Sequence, residues 1–248
     1  MKLLIPFLGS ILLVSCSGNG ELKSLDIDEK SIDQYVEEKL DTSQTYDILT
    51  GMRFSKGENY AYSAVRFSQN DTAILYTELI EDSTGTIYRN LFYKDKLPVY
   101  VEEDIIVSDG ITTTYKQRKI YLNGAIILKA YERSASDKDT LAEKEFTEIT
   151  MTMNQFDFER AEKSVTQLGD YEMSFGEFLI LDLMSYLVLE NKESGYSVAL
   201  YLIEGDDLIN TLYANPDAYQ GKVIRCYHQF MYISGIQQMV YTGGEIVE

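Results

Sequence analysis

Residues 118–129 read RKIYLNGAIILK, and this stretch decides the fold. Asn123-Gly124 lies between two short runs of β-forming residues, and this dipeptide favours the two positive φ angles of a type I′ turn. The pattern predicts a β-hairpin whose strands are 119–122 and 125–128. The turn dipeptide would set the register in which these strands pair.

The same hairpin unit recurs upstream. Residues 89–100 (RNLFYKDKLPVY) align with it, and residues 65–76 are a weaker third copy. Throughout 50–132, turn residues separate short runs rich in Tyr, Val, Ile, Phe and Thr. The repeat predicts an antiparallel meander of about six strands that buries one face against another element.

Helical patterns flank the meander. Apolar spacing predicts an amphipathic helix of about three turns over 28–40, capped by Asp28 or Ser31. The dense apolar run 178–189 follows a capping-box spacing at 174–177 and predicts a core helix. The other predicted elements are strands at 149–153, 197–203 and 222–233, a charged helix at 157–167 and a short helix at 206–213.

The chain begins with a short apolar segment between Lys2 and Cys16. Residues 3–14 carry no charge, and about 12 apolar residues are too few to span a bilayer, which needs about 20. The segment ends in Leu13-Val14-Ser15-Cys16, which resembles the lipobox of bacterial lipoproteins. The resemblance implies cleavage before Cys16 and acylation of that cysteine. An ordinary signal peptide is the alternative.

Acylation would make the lipid bilayer the first partner of this chain. Each buried methylene contributes about 0.8 kcal/mol, and two or three acyl chains suffice for stable anchoring. Ser17 after the cysteine resembles the pattern of lipoproteins sent to the outer membrane, facing the periplasm or the cell surface. The tyrosine-rich hairpin repeat also resembles uncharacterised envelope lipoproteins of Bacteroidota.

These patterns divide the chain into four segments. They are a signal peptide at 1–15, a lipidated flexible tether at 16–27, a helix plus meander at 28–135, and a C-terminal half at 136–248. We therefore predict the α+β class, with an antiparallel β-hairpin meander in the N-terminal half and a mixed helix and strand C-terminal half. Whether the halves share one core stays open.

Charge excludes one class of partner. The chain has 22 basic and 40 acidic residues and a net charge of −18, and loss of Lys2 with the signal peptide would make it −19. Nucleic-acid binding normally needs a basic patch, and the sequence has no Lys/Arg cluster. We predict no nucleic-acid partner.

Cysteine and histidine content limits the possible chemistry. With Cys16 acylated, Cys226 is the one thiol left, so neither an intramolecular disulfide nor a cysteine-based zinc site can form. Cys226 and His228 would share one face of a strand, but no third group to orient the histidine is evident. We interpret both as core residues and predict no cofactor and no metal, although an all-carboxylate calcium site stays open.

Acidic residues leave an enzymatic alternative open. Glycoside hydrolysis uses two carboxylates about 5 to 10 Å apart, and with 40 acidic residues some such pair is inevitable. The strongest acidic run, Glu102-Glu103-Asp104, is better interpreted as a solvated strand edge. A non-catalytic binding or envelope-assembly role is preferred, and a carboxylate-dependent hydrolase acting on glycan or peptidoglycan is the alternative.

Tyrosine content supplies candidate ligand-binding residues. The chain has 20 Tyr, 10 Phe and no Trp, and tyrosine-rich strands can form a recognition face. The alternative is that tyrosine fills the outer part of a β core. The candidates are Tyr93, Tyr100, Tyr121 and Tyr131, and the partner would be a protein or glycan of the envelope.

Residues 215–225 (NPDAYQGKVIR) resemble the lead-in to the first strand of OB-like domains in exported bacterial proteins. In both, Asn-Pro, an aromatic residue and Gly-Lys precede a hydrophobic strand. Only about 23 residues follow Arg225, too few for the remaining strands of a five-stranded domain.

Overall fold

The computed structural model describes residues 25–41, 45–181 and 184–247. These residues form fourteen strands and five α-helices, with 54% of residues in strands and 20% in helices. All the strands belong to one mixed sheet. The protein is therefore mostly β, and the prediction of an α+β fold with a mixed C-terminal half is wrong.

The N-terminal part of the sheet is an antiparallel meander in which neighbouring strands follow one another in the chain. An N-terminal helix precedes it, and a second short helix separates its last two strands. The elements are α1 (Glu29–Leu40), β1 (Asp47–Thr50), β2 (Phe54–Lys56), β3 (Tyr60–Gln69), β4 (Thr72–Asp82), β5 (Gly85–Lys94), β6 (Leu97–Ser108), β7 (Thr113–Asn123), β8 (Ile126–Ala135), α2 (Lys138–Glu143) and β9 (Thr147–Glu148). The short strands β1 and β2 both pair with β3.

Turn chemistry fixes the strand registers. Both central residues have positive φ in the β3–β4 turn (Asn70-Asp71) and in the β5–β6 turn (Asp95-Lys96), as type I′ turns require. The β7–β8 turn differs from its prediction, because Asn123 pairs with Ile126 and Gly124 is the first central residue, with φ 60°. Glycine at this position is typical of a type II′ turn, and it leaves the Asn123 side chain available for other contacts.

The C-terminal part of the sheet forms a closed circuit of five strands. Its elements are α3 (Arg160–Thr166), β10 (Ser174–Leu181), β11 (Met184–Asn191), β12 (Tyr196–Leu202), α4 (Asp207–Ala214), α5 (Pro216–Tyr219), β13 (Ile224–Ile233) and β14 (Ile236–Ile246). The pairing order is β10-β11-β12-β14-β13, with β12 and β14 parallel. Backbone hydrogen bonds of 2.9–3.0 Å between 221–224 and 173–175 return the circuit to β10. We call this unit the five-stranded ring.

The predicted core helix at 178–189 is wrong, because these residues belong to the β10–β11 hairpin. Leu181 pairs with Met184, and the two connecting residues lie outside the described part of the chain. A continuous apolar run has no periodicity that separates a buried helix from strands. The run holds one each of Phe, Ile, Tyr and Val but five Leu, so its composition did not separate helix from strand either, and the supposed capping box at 174–177 is the start of β10.

Two further stretches differ from prediction. Residues 149–153 do not form a strand; the nearest strand is β9, and Met153–Gln155 is a turn of 3-10 helix. Residues 215–225 contain α5 and the first residues of β13, the fourth strand of the five-stranded ring in chain order. The strands β10, β11 and β12 therefore precede this stretch, so it does not lead into the first strand of the ring.

The two halves of the chain share one main core. Phe54 and Tyr62 of the meander pack in the same cluster as Phe175, Leu187 and Leu200 of the five-stranded ring. β12 pairs with both β2 and β11, so the sheet is continuous between the halves. A smaller cluster lies beneath α1 on the opposite face of the meander.

Candidate binding pocket

A pocket of about 540 Å³ lies between the meander and α3. Ligand pockets typically enclose about 300–1,000 Å³ and combine an apolar lining with a few polar groups. The strands β3, β4 and β5 form one wall, and α3 with the residues before it forms the other. The lining residues are Arg66, Asp71, Thr72, Ala73, Tyr76, Tyr93, Lys96, Pro98, Phe158, Glu159, Glu162 and Lys163.

Aromatic rings form the floor of the pocket. Tyr76 and Tyr93 are both buried, and their ring centroids lie 5.4 Å apart in an edge-to-face arrangement. The Tyr93 hydroxyl donates a 2.9 Å hydrogen bond to the carbonyl of Phe158, which fixes the third ring against the sheet. These rings offer a rigid apolar surface to a ligand.

An ion pair holds the helix side of the pocket against the sheet. Arg66 Nη1 lies 3.1 and 3.2 Å from the two carboxylate oxygens of Glu162 on α3. The Tyr76 hydroxyl donates a 2.6 Å hydrogen bond to the same carboxylate. Burial, followed by this hydrogen bond to Glu162, raises the pKa of Tyr76, so its hydroxyl stays a proton donor at neutral pH.

The rim of the pocket carries charged side chains. Lys163 Nζ lies 2.7 Å from Glu159 Oε2 and neutralises it. Lys96 and Asp71 are exposed on the two type I′ turns of this edge. Within the described residues neither makes an ion pair or a side-chain hydrogen bond, so both are available to a ligand.

The N-terminal segment joins the sheet on the face opposite the pocket, next to a strand that lines it. The backbone of Leu25 exchanges two 2.7 Å hydrogen bonds with the Asn123 side chain amide. The next residue, Gly124, donates a 3.1 Å backbone hydrogen bond to Pro98, which lines the pocket. On the face opposite the pocket, the hydroxyl of Tyr35 on α1 donates a 2.5 Å hydrogen bond to the Tyr93 carbonyl. Leu25, within the predicted tether, is therefore connected to the pocket lining only through Asn123 and Gly124, while its own side chain packs in the smaller cluster beneath α1.

The structure separates the four predicted tyrosines. Tyr93 lies in the pocket, whereas Tyr100, Tyr121 and Tyr131 lie beneath α1 on the opposite face. The hydroxyls of Tyr121 and Tyr131 donate to Asp33 and Glu29 of α1, at 2.8 and 3.0 Å. The helix covers these three rings, so they form its docking surface rather than an open face.

Opposite charges form a row across the meander, buried at Glu78, Arg89 and Glu103 and half-buried at the other end. Glu78, Arg89, Glu103, Arg118 and Glu132 face one another directly on five consecutive strands. The nitrogen to oxygen distances along the row are 3.2, 2.7, 3.4 and 2.7 Å. We call this set the charge row. Its carboxylates are occupied by arginines, which gives them a structural rather than a catalytic environment.

The interpretation of Glu102-Glu103-Asp104 as a solvated edge is wrong for Glu103. This side chain is 2% exposed, because strand alternation directs it towards the covered face. Asp104, one position on, is exposed. Glu102 is half-buried, and desolvation raises its pKa above the ordinary value.

Cys226 and His228 do not form a catalytic pair. Burial, followed by the charge of Asp206, raises the pKa of the Cys226 thiol to about 12, so the thiol stays protonated. The extra residue of the β13–β14 bulge lies on β14, so the alternation of β13 is kept and both side chains line one pocket, but no hydrogen bond within the described residues joins them. His228 Nε2 lies 3.2 Å from the Gly51 carbonyl instead, and burial lowers the pKa of the imidazole.

Thiol reactivity tests this assignment. In a Cys16→Ser chain, Cys226 is the one remaining thiol, and its reaction with Ellman's reagent in the native state should be on the order of 1,000-fold slower than in denaturant. The measurement is the rate of thionitrobenzoate release at mildly alkaline pH. Similar rates in the two states would show an accessible thiolate.

Neither a metal-binding cluster nor a membrane-spanning helix is found within the described ranges. No three or more His, Cys, Asp or Glu residues there are grouped so that they could hold a metal ion. None of the helices found there has the length and apolar character needed to cross a membrane. Comparison with known proteins found no matching family model, no matching curated protein and no matching solved structure.

Sequence reasoning missed Arg66 and Glu162, which lie 96 residues apart in the chain. No local spacing connects them, because α3 reaches the sheet only through the tertiary fold. The polar turns Asn70-Asp71 and Asp95-Lys96 were a usable signal, since successive hairpins place alternate turns at the same edge of a meander. That reasoning would have placed Asp71 and Lys96 at one edge.

Proposed function

We propose that this protein is a lipid-anchored bacterial envelope protein with a non-catalytic binding role, held in the outer membrane by acylated Cys16. The pocket between the meander and α3 is its binding site. The observation that supports this most strongly is the contact between Leu25 and Asn123, because the residue after Asn123, Gly124, bonds to Pro98 of the pocket lining. A protein or glycan of the envelope would be the partner in assembly.

The length of the tether limits how far the pocket can stand from the bilayer. Nine residue steps separate Cys16 from Leu25, and a fully extended chain covers about 3.3–3.6 Å per residue. The Leu25 end of the domain would therefore lie within about 30 Å of the acylated residue. A pocket at this edge stays close to molecules that leave or enter the membrane surface.

The arrangement of the acidic side chains in this pocket and in the charge row favours binding over hydrolysis. A glycosidase needs a protonated carboxyl group beside an ionised one in an open cleft. In the pocket, Glu162 is held by Arg66 and Tyr76, and Glu159 is paired with Lys163. The buried carboxylates of the charge row are held by arginines in the same way.

Replacing Cys16 tests the anchor. Cys16→Ser removes the acceptor for the acyl chains, so the protein should move almost completely from the membrane fraction to the soluble fraction of a Gram-negative host. The measurement is fractionation with immunoblotting, and intact mass should show an acylated N-terminal cysteine in the parent chain. The matched control is Cys226→Ser, which changes the other cysteine and should leave the membrane fraction unchanged.

A Cys16→Ser protein that stays in the membrane fraction would contradict the proposed anchoring. So would a parent chain whose mass shows no acyl group. The far-UV circular dichroism of Cys16→Ser should match that of the parent, since residue 16 lies outside the described fold. This comparison separates loss of the anchor from loss of folding.

A further inference from the structure

The charges that line the pocket are balanced, unlike those of the whole chain. The chain has 22 basic and 40 acidic residues, whereas the pocket lining has three of each kind. A local balance of this kind adds nothing to the repulsion that the rest of the protein exerts on an anionic group. The charged lining residues are Arg66, Lys96, Lys163, Asp71, Glu159 and Glu162.

Two of these six residues, Lys96 and Asp71, are left to bind a ligand. The pairs Arg66–Glu162 and Lys163–Glu159 neutralise one another within the pocket wall. Lys96 and Asp71 carry opposite charges on neighbouring turns of the rim, above the aromatic floor. The site therefore presents one cation and one anion beside an apolar surface.

We propose that the pocket binds a small amphiphile with an apolar body and a zwitterionic head. Asp71 receives the ammonium group of the head, Lys96 receives its anionic oxygen, and the apolar body lies on Tyr76, Tyr93 and Phe158. This assignment rests on the proposed function, in which the pocket is the binding site. The same chemistry has two sources, a phospholipid with an ethanolamine head in the nearby membrane and a free amino acid with an apolar side chain.

Calorimetric titration with three probes tests the head group. The full chain carrying Cys16→Ser is titrated with lysophosphatidylethanolamine, lysophosphatidylglycerol and phenylalanine. The ethanolamine lipid should bind more tightly than the glycerol lipid. Asp71→Asn should remove that preference, and Lys96→Gln should weaken binding of both lipids about fivefold. Asp95→Asn is the matched control. Asp95 lies in the same turn as Lys96 but does not line the pocket, so its replacement should leave affinity unchanged.

A second variant tests the apolar body. Ala73 lines the pocket, and Ala73→Leu would add three carbon atoms to the space the ligand needs. Affinity for the ethanolamine lipid should fall by more than about tenfold because the larger side chain excludes the tail. An unchanged melting temperature shows that the variant is folded.

Three results would overturn the proposal. One is a failure of all three probes to bind the folded chain. The second is equal affinity for the two lipids whether residue 71 is Asp or Asn, and the third is undiminished binding by Ala73→Leu. Tight binding of phenylalanine together with weak binding of both lipids supports the zwitterion site and assigns it to a free amino acid. None of these results depends on the membrane fractionation of Cys16→Ser, so failure of the anchor and failure of the ligand assignment are distinguishable.

Discussion

Glu78→Gln is expected to lower the free energy of unfolding by about 3–5 kcal/mol. The Glu78 side chain is 0% exposed and accepts hydrogen bonds from three groups. These are Arg89 Nη1 at 3.2 Å, Arg160 Nε at 3.0 Å and the Tyr62 hydroxyl at 2.6 Å. Glutamine has nearly the same volume, so the change removes charge and an acceptor without opening a cavity.

The cost arises from the partners that remain. Arg89 is buried with Glu78, and Arg160 Nη2 is already a buried nitrogen without a hydrogen-bond partner. Without the Glu78 carboxylate, two guanidinium groups keep their positive charge in a poorly solvated site, and the nitrogen of the new amide points its own hydrogens at them. Loss of one partner of a buried pair is therefore far more costly than loss of an exposed pair.

Glu81→Gln is the matched control. Glu81 lies three residues further along β4 and makes a 2.5 Å ion pair with Arg53 at the surface, where both side chains are more than a third exposed. Its replacement should cost less than about 1 kcal/mol. The measurement is equilibrium denaturation of both variants with urea. Equal midpoints for Glu78→Gln and Glu81→Gln would mean that the charge row is solvated in solution.

The meander could be predicted because its determinants are local. Each type I′ turn is specified by adjacent residues, and each register follows from its turn. α1 was predicted for the same reason: Asp28 and Ser31 form a reciprocal capping box with two 2.9 Å hydrogen bonds. The charge row was within reach of the same reasoning, since the turn positions place Glu78 opposite Arg89 and Arg89 opposite Glu103.

The five-stranded ring could not be predicted in the same way. Its closure depends on the parallel pairing of β12 with β14 and on hydrogen bonds between 221–224 and 173–175. Such contacts join segments that are about 40 to 50 residues apart, and no local pattern in either segment specifies the other. The apolar run 178–189 was mistaken for a helix because the partners that make its residues strands lie elsewhere in the chain.

The candidate pocket depends both on local sequence and on contacts between distant segments. The turns that carry Asp71 and Lys96 follow from local sequence, as does the helical character of 157–167. The docking of α3 against β3 does not, because it depends on the Arg66–Glu162 ion pair and on side-chain packing across the core. Sequence can therefore indicate which edge of the meander carries charged turns, whereas the pocket itself forms only in the folded chain.

Gly85→Ala is expected to destabilise the fold by at least about 3 kcal/mol. Gly85 begins β5, and a Cβ at this position would lie 1.8 Å from the carbonyl oxygen of Ile106 and 2.9 Å from its carbonyl carbon. Both contacts are with the backbone of β6, so no side-chain rotation can relieve them. The φ of Gly85 is +158°, which adds backbone strain for any residue with a Cβ.

Gly57→Ala provides the control for this prediction. Gly57 lies in the β2–β3 turn with φ +63°, and no atom lies within 4 Å of the position that an alanine methyl group would occupy. In this variant the free energy of unfolding should fall only by the cost of placing a residue with a Cβ in a left-handed backbone conformation, about 1–2 kcal/mol. The difference between the two variants in urea denaturation therefore measures the close approach of β5 to β6. If Gly85→Ala were no less stable than Gly57→Ala, β6 would have to lie further from the start of β5, and the register that aligns Arg89 with Glu103 would be in question.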